Sequence, residues 1–495
     1  MERYKKYFII HLVILLSVLP QFVWTEETSE IFSPTESTGK KYVLSLEEVT
    51  RLALQNNFDI QLAQYDAQIA QTQKGVAESI YDTVLDAEIK YRDNQRGRTT
   101  TITGTKSLEN DYNLGLTKKL PTGTTLGLDM TNARDWTNSI FATLNPSHDS
   151  ALSVEMEQAL GKNFFGLQDR GNIKISQIDI ENSGYTSLEK IEQNIAQVQR
   201  AYWDLVLYLN RVKVEERMVE QAKRLYDLHQ EKFTDGLIES PELLAAEANY
   251  KTRVNELLLA QNQAKIKENV LRFLLNITDD LLELVPAETF HTDAVQEVWE
   301  ASLKTAFENR RDYKRVRNDI DAKNIQLAMK KNNLWPEINL AASFARNGIG
   351  DHFDNAVTNI TQEDNPDLFI GARFSFPLEN TEARSRLKAA EIEKAKAILN
   401  IKLTERKIAI DIMDQVRTCN VLKELSMNSQ NISDLQAKKL TEEEKRFSHG
   451  RSDTDTIVRF QESLIQAQWK ALEDQFNYYT AKIDLKLKEG TLLKE

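Results

Sequence analysis

One pattern occurs twice in this chain, and few folds can accommodate it. From Glu231 the sequence reads EKFTDGLIESPELLAAEANY, and from Lys445 it reads KRFSHGRSDTDTIVRFQESL. Each copy closes a long helical pattern with Phe, two polar residues and Gly: Phe233 to Gly236, and Phe447 to Gly450. Glycine readily takes the left-handed conformation that stops a helix. Four positions on, Ser240 or Thr454 can cap a new helix, and Pro241 suits its first position. The pattern predicts two helical hairpins, each turning through its Phe-x-x-Gly segment.

The repetition extends past the turns. Shifted by 253 positions, ALQNNFDI (53–60) falls on AFENRRDY (306–313), and without a gap Leu85 then meets Ile338 and Tyr91 meets Phe344. A helix is expected from Ser45, its cap, to about Ile80, with Glu47 and Glu48 in the first turn. Alternation follows: Leu85, Ala87, Ile89 and Tyr91 face one way, Asp86, Glu88 and Lys90 the other, as in a strand with one apolar and one polar face. Similar strands are expected at 152–158, 338–344 and 368–376, with polar loops at 133–150 and 345–366. Each half reads as helix, strand, loop, strand, long helix, turn, helix, giving a first repeat over 42–285 and a second over 294–493. The first half alone carries a hairpin at 111–130, turning at Pro121–Gly123. It could add two strands or project as a folded loop. The second half closes without it, which favours the projecting loop.

The long helices, about 172–232 and 382–447, contain no proline. At 1.5 Å per residue each would run for ~90 Å. Val198, Leu205, Val212, Val219 and Tyr226 lie seven apart, a coiled-coil seam, while Glu215 and His229 break its second row. Gly (17) and Pro (9) are scarce, as such uninterrupted helices require.

The N-terminus reads as a secretory signal over residues 1–25: Arg3, Lys5 and Lys6 precede the apolar run from Phe8 to Leu19. An uncleaved anchor is the alternative, although His11 and Pro20 interrupt the run. The single cysteine, Cys419, rules out an internal disulfide and a cysteine-type zinc site. Net charge is −12 and no basic block stands out, which argues against nucleic-acid binding. No phosphate loop, nucleophile triad or metal-ligand spacing is present, so neither an enzyme nor a cofactor is expected.

Few strands, each with one apolar face, would make a poor soluble sheet with exposed edges. A barrel closed from several chains removes the edges and gives the apolar face to lipid. In the repeat, the strand pairs before long helices, the strand entry at Pro336 and the paired Phe-x-x-Gly turns, the chain resembles the TolC-like outer-membrane efflux proteins over about Tyr42 to Leu493. The resemblance implies a mainly helical fold with β structure: long antiparallel coiled-coil hairpins forming a periplasmic tunnel, and strands contributing to a shared trimeric outer-membrane barrel. It implies a homotrimer seated in outer-membrane lipid, with a periplasmic adaptor (membrane fusion) protein and an inner-membrane pump docking at the tunnel end. Substrates would leave through a water-filled conduit of an efflux or type I secretion system.

On this resemblance Phe233, Gly236, Phe447 and Gly450 mark the adaptor-docking turns. Asp453, Asp455 and Arg459 are candidates for the aperture at the tunnel end, where the family often carries carboxylates. Thr456 and Arg459 depart from that pattern, and Asp453 and Asp455 equally suit helix capping. A non-transport, secreted coiled-coil structural or adaptor protein is the competing expectation.

Overall fold

The computed structural model describes residues 41–100, 102–279, 282–291 and 296–493; the signal segment expected at 1–25 lies outside them. Val43–Thr278 and Leu284–Glu495 form one compact unit. Strand β1 (Lys41–Leu44) pairs with β6 (Glu283–Pro286) in a two-stranded sheet.

In the first half α1 (Leu46–Asn56) and α2 (Phe58–Glu78) lead into strands β2 (Thr83–Asn94), β3 (Ser107–Lys119), β4 (Thr124–Thr137) and β5 (Ser147–Ala159), followed by α3 (Leu167–Thr234) and α4 (Ser240–Leu274). The second half runs α5 (Trp299–Asn309), α6 (Arg311–Asn332), β7 (Glu337–Gly350), α7 (Phe353–Gln362), β8 (Pro366–Ser375), α8 (Thr381–Ser448) and α9 (Thr454–Glu489). Ser45 caps α1 as expected, its hydroxyl accepting from the Glu48 amide at 3.2 Å. The single helix expected up to Ile80 is instead broken at Asn57. There the side-chain oxygen accepts from the Ile60 amide (3.0 Å) and the side-chain nitrogen donates to the Leu274 carbonyl (2.8 Å), so the break itself is hydrogen-bonded and buried. The second half breaks at Arg310, 253 positions later, where the guanidinium donates twice to Asp312, at 3.0 and 2.6 Å.

The long helices α3 and α8 have 68 residues each, or ~100 Å at helical rise. In α3 the buried seam first follows Ile195, Val198, Tyr202 and Leu205, then shifts to Met218, Ala222, Leu225 and His229. Val212, Val219 and Tyr226, expected at its centre, are only half-buried. The two residues that seemed to break the seam, Glu215 and His229, are both buried. A cluster of Ala306, Ile408, Ile412, Val416, Cys419, Ala481 and Leu485 ties α5, α8 and α9 together. Within it burial pushes the Cys419 thiol up to about 12, and the thiol donates to the Ala481 carbonyl at 3.2 Å. Such a thiol is inert packing rather than a reactive group.

The six remaining strands form one antiparallel sheet in the order β2-β3-β4-β5-β7-β8. This corrects the projecting-loop expectation for residues 111–130. That hairpin is the middle of the sheet: β3 pairs with β2 along its whole length and β4 pairs with β5. Its turn is seated at the helical end. Gly123 has φ +73° and lies against Gly166 just before α3, while Lys119 of β3 pairs with Asp169 of α3 at 2.8 Å. The polar loops are shorter than expected, because β4 and β5 extend to Thr137 and from Ser147, and because β7 and the helix α7 occupy most of 345–366. Sequence patterning missed these extensions because Asn, Gly and Asp are frequent near the strand ends, where they read as loop.

A Cβ on Gly123 would sit 2.5 Å from the Gly166 amide nitrogen, a backbone atom that cannot swing aside. Gly123→Ala adds left-handed strain to that clash, and is expected to cost on the order of 2 kcal/mol. A lowered melting temperature of the assembled protein checks this; an unchanged one would show that the turn is not seated there.

Candidate functional site: sheet faces, open edges and helix tips

Opposite residues in an antiparallel sheet share a face. The register therefore lays Leu85, Leu116, Leu128, Val154, Phe344 and Leu368 in one row across all six strands. All six are exposed, from 41% at Leu116 to 68% at Leu368. The neighbouring row on the same face includes Ala87, Leu114, Met130 and Leu152. On the other face Asp86, Gly115, Asp129, Ser153, Ala345 and Asp367 line up. The sequence alternation at 85–91 is thus extended by pairing into a continuous apolar band backed by a polar surface.

Among the described residues, β2 and β8 are hydrogen-bonded on one side only. Each free edge continues into a helix with an exposed apolar stripe. Before β2, α2 presents Phe58, Leu62, Tyr65, Ile69 and Val76; after β8, α8 presents Ile392, Leu399, Leu403 and Ile410. Their spacings of three, four and seven are those of a coiled-coil seam. Within the chain α2 packs on α3, α3 on α6 and α6 on α8, an order that sets the two striped helices at its two ends.

The far ends of the long helices meet. Both turns end their helix in the same way: Gly236 (φ +72°) and Gly450 (φ +69°) are left-handed, and the next amide, Leu237 or Arg451, donates back to the Lys232 or Arg446 carbonyl at 2.8 or 2.9 Å. His229 joins one hairpin to the other. Its Nδ1 lies 2.8 Å from the Leu225 carbonyl and so carries the hydrogen; Nε2 then accepts from the Thr454 hydroxyl at 2.7 Å. Its ring also stacks on Phe447, with centroids 6.0 Å apart, and Lys232 Nζ lies over the Phe447 ring, 5.2 Å from its centroid. Phe447 is therefore engaged between the hairpins, whereas Phe233 is 43% exposed. His229 was legible only as a residue out of place in an apolar seam.

Of the residues expected to cap, Ser240 and Thr454 do not, and Asp453 does. Glu239, not Ser240, precedes α4 and makes no side-chain cap; Asp453, not Thr454, caps α9, accepting from the Thr456 amide at 2.7 Å. That amide first, and the Thr456 hydroxyl second, hold the Asp453 carboxyl below the usual carboxylate range. Thr454 is released from capping to hold His229. Asp455 lies in the first turn of α9, and Arg459 donates to the Thr456 hydroxyl at 3.3 Å. These residues stand together at the helix tips with the two glycines. Among the described residues no helix is long and apolar enough to cross a membrane, and no group of His, Cys, Asp and Glu could hold a metal ion.

The family model for outer membrane efflux proteins matches residues 162–276, from the end of β5 through α4. No curated protein matches by sequence. Among solved structures, the CmeC outer membrane channel of Campylobacter jejuni is 16% identical with a TM-score of 0.65, over 90% of this chain and 85% of that one. CusC, whose structures concern folding and transmembrane channel formation, is 13% identical with a TM-score of 0.68, over 93% and 95%. The MtrE outer membrane channel of Neisseria gonorrhoeae, in its open state, is 16% identical with a TM-score of 0.64, over 94% and 95%. The fold is the one these outer-membrane channels share, and the resemblance to TolC-like proteins holds on both the family model and the architecture.

Thr454→Val keeps the shape of the side chain but leaves His229 Nε2 buried without a partner. This is expected to cost about 1–3 kcal/mol at the tips. Faster amide exchange confined to residues around 225–240 and 445–460 checks it; protection equal to the parent would show that the bond does not join the hairpins.

Proposed function

We propose that the chain is the outer-membrane duct of a tripartite efflux or type I secretion assembly, acting as a homotrimer through which substrates leave passively. The observation that carries this reading is the coincidence of three features on the same flanks: an exposed apolar band, two free sheet edges, and two exposed helix seams that continue from those edges. Six strands alternate in direction, so β2 of one copy can pair antiparallel with β8 of the next. That pairing brings the α2 stripe against the α8 stripe in the same step. The interface is head-to-tail and closes as a ring. Three copies of a six-stranded sheet make an eighteen-stranded barrel, within the size range whose interior is an aqueous channel rather than a packed core. The apolar band then faces lipid, which resolves the exposure of its leucines. A soluble spacer would leave that band in water.

In this reading the helices extend into the periplasm and the joined turns form the surface that meets an adaptor and, beyond it, an inner-membrane pump. Phe233 and Gly236 are the accessible part of the docking surface, and Phe447 and Gly450 the part braced by His229. Asp453, Asp455 and Arg459 stand at the aperture end. Transport of this kind needs no catalytic group, and energy comes from the pump.

Gly236→Val and Gly450→Val separate docking from assembly. A Cβ at either position meets nothing within 4 Å, so the change strains only the turn, by about 1–2 kcal/mol, at the end of a helix that starts beside the sheet. Each variant is expected to reach the outer membrane as a heat-resistant trimer and to lose export in a strain carrying its adaptor and pump. Normal export would show that the turns are not the docking surface; failure to assemble would show that they are not independent of the barrel.

A further inference from the structure

The polar face of the sheet is more acidic than the chain as a whole requires. Across the six strands that face carries eleven carboxylates against four basic side chains, a net of −7 in each chain. The bases are largely committed: Lys90 pairs with Glu88 at 2.7 Å, Arg92 with Glu109 at 3.1 Å and Lys119 with Asp169 at 2.8 Å. Across the centre of the sheet, on β4 and β5, Asp129, Asp135, Asp149, Glu155 and Glu157 share this face and no basic side chain of either strand does; Arg134 and His148 are paired on the opposite face. The helix tips differ. Near the turns Asp453 and Asp455 stand with Arg451 and Arg459, and Asp453 is engaged in capping.

We infer that selection among charged solutes is exerted along the barrel wall, which favours cations, and not at the tunnel tip. The inference rests on the proposed barrel, in which the polar face lines the lumen and the charges of three copies sum. A wall with one sign of charge raises the local concentration of the opposite ion and repels its own. In a wide lumen this field reaches the axis only when the screening length is comparable to the radius. The screening length is about 30 Å at ~0.01 M salt and about 3 Å at ~1 M. Selectivity set by the wall must therefore fade as salt rises, whereas a narrow charged aperture would keep it.

The purified protein in planar lipid bilayers, under KCl gradients, tests this. The expected reversal potential has the sign of K+ permeation, grows as mean salt falls toward ~0.01 M and nearly vanishes toward ~1 M. Asp129→Asn/Glu155→Gln/Glu157→Gln is expected to lower the K+/Cl− permeability ratio at low salt about two-fold or more, while Asp453→Asn/Asp455→Asn leaves it unchanged. Anion preference, equal permeability at low salt, or a ratio that follows only the tip substitutions would overturn the inference and leave the channel reading intact. No conductance from assembled protein would overturn the channel reading and this inference with it. The salt dependence of the parent protein decides the matter even if the barrel variant fails to assemble.

Discussion

The unpaired edges of the sheet are the constraint on which the rest of this structure depends. Among the described residues, strands β2 and β8 each have a strand partner on one side only and present a row of backbone donors and acceptors on the other. In water this invites aggregation, and in lipid it is prohibitive, because hydrocarbon supplies no hydrogen bonds. Among the described residues no further strand pairs with either edge. Other features make sense once the edges are joined between copies. The apolar band becomes continuous around a ring. The stripes on α2 and α8, which continue directly from the edges, acquire partners without any further adjustment of the chain.

The helices then answer a second requirement, that of reach. Two helices of 68 residues leave the sheet on the same side, and their partners α4 and α9 return along them. Their ends are held by local chemistry: left-handed glycines, an aspartate cap, and one histidine whose two ring nitrogens bind different hairpins. The energy of that join is small compared with the packing of the long seams, which makes the tips the less stable end of the helical body. An inert, buried Cys419 and a carboxylate-stabilised break at Arg310 belong to the middle of the molecule, where α5, α6, α8 and α9 are tied into one body.

What the sequence made legible follows how local each signal is. The turns at Gly236 and Gly450 were readable because helix termination is decided within a few residues. The two faces of β2 were readable because alternation needs no knowledge of the partner strand. The place of residues 111–130 was not, because it depends on pairing with β2 and β5 and on the seat of Gly123 against Gly166, contacts between distant positions. The break at Asn57 was hidden for a similar reason: Asn reads as solvent-facing until the Leu274 carbonyl is brought to it. Asp453 and Thr454 can both cap a helix, and only the position of His229 decides between them. At the site, the named turn and tip residues do stand together, while the histidine that joins them and the acidic face of the sheet emerged only from contacts and register.

The most direct test of the account is covalent. In a Cys419→Ser background, single cysteines placed along 85–91 of β2 are combined with single cysteines along 368–374 of β8, and the protein is oxidised in the membrane. The account predicts that pairs obeying one antiparallel register link neighbouring copies, so that denaturing gels show ladders ending at the trimer. Links confined within single chains, or no links in any register, would contradict a barrel closed edge to edge between copies.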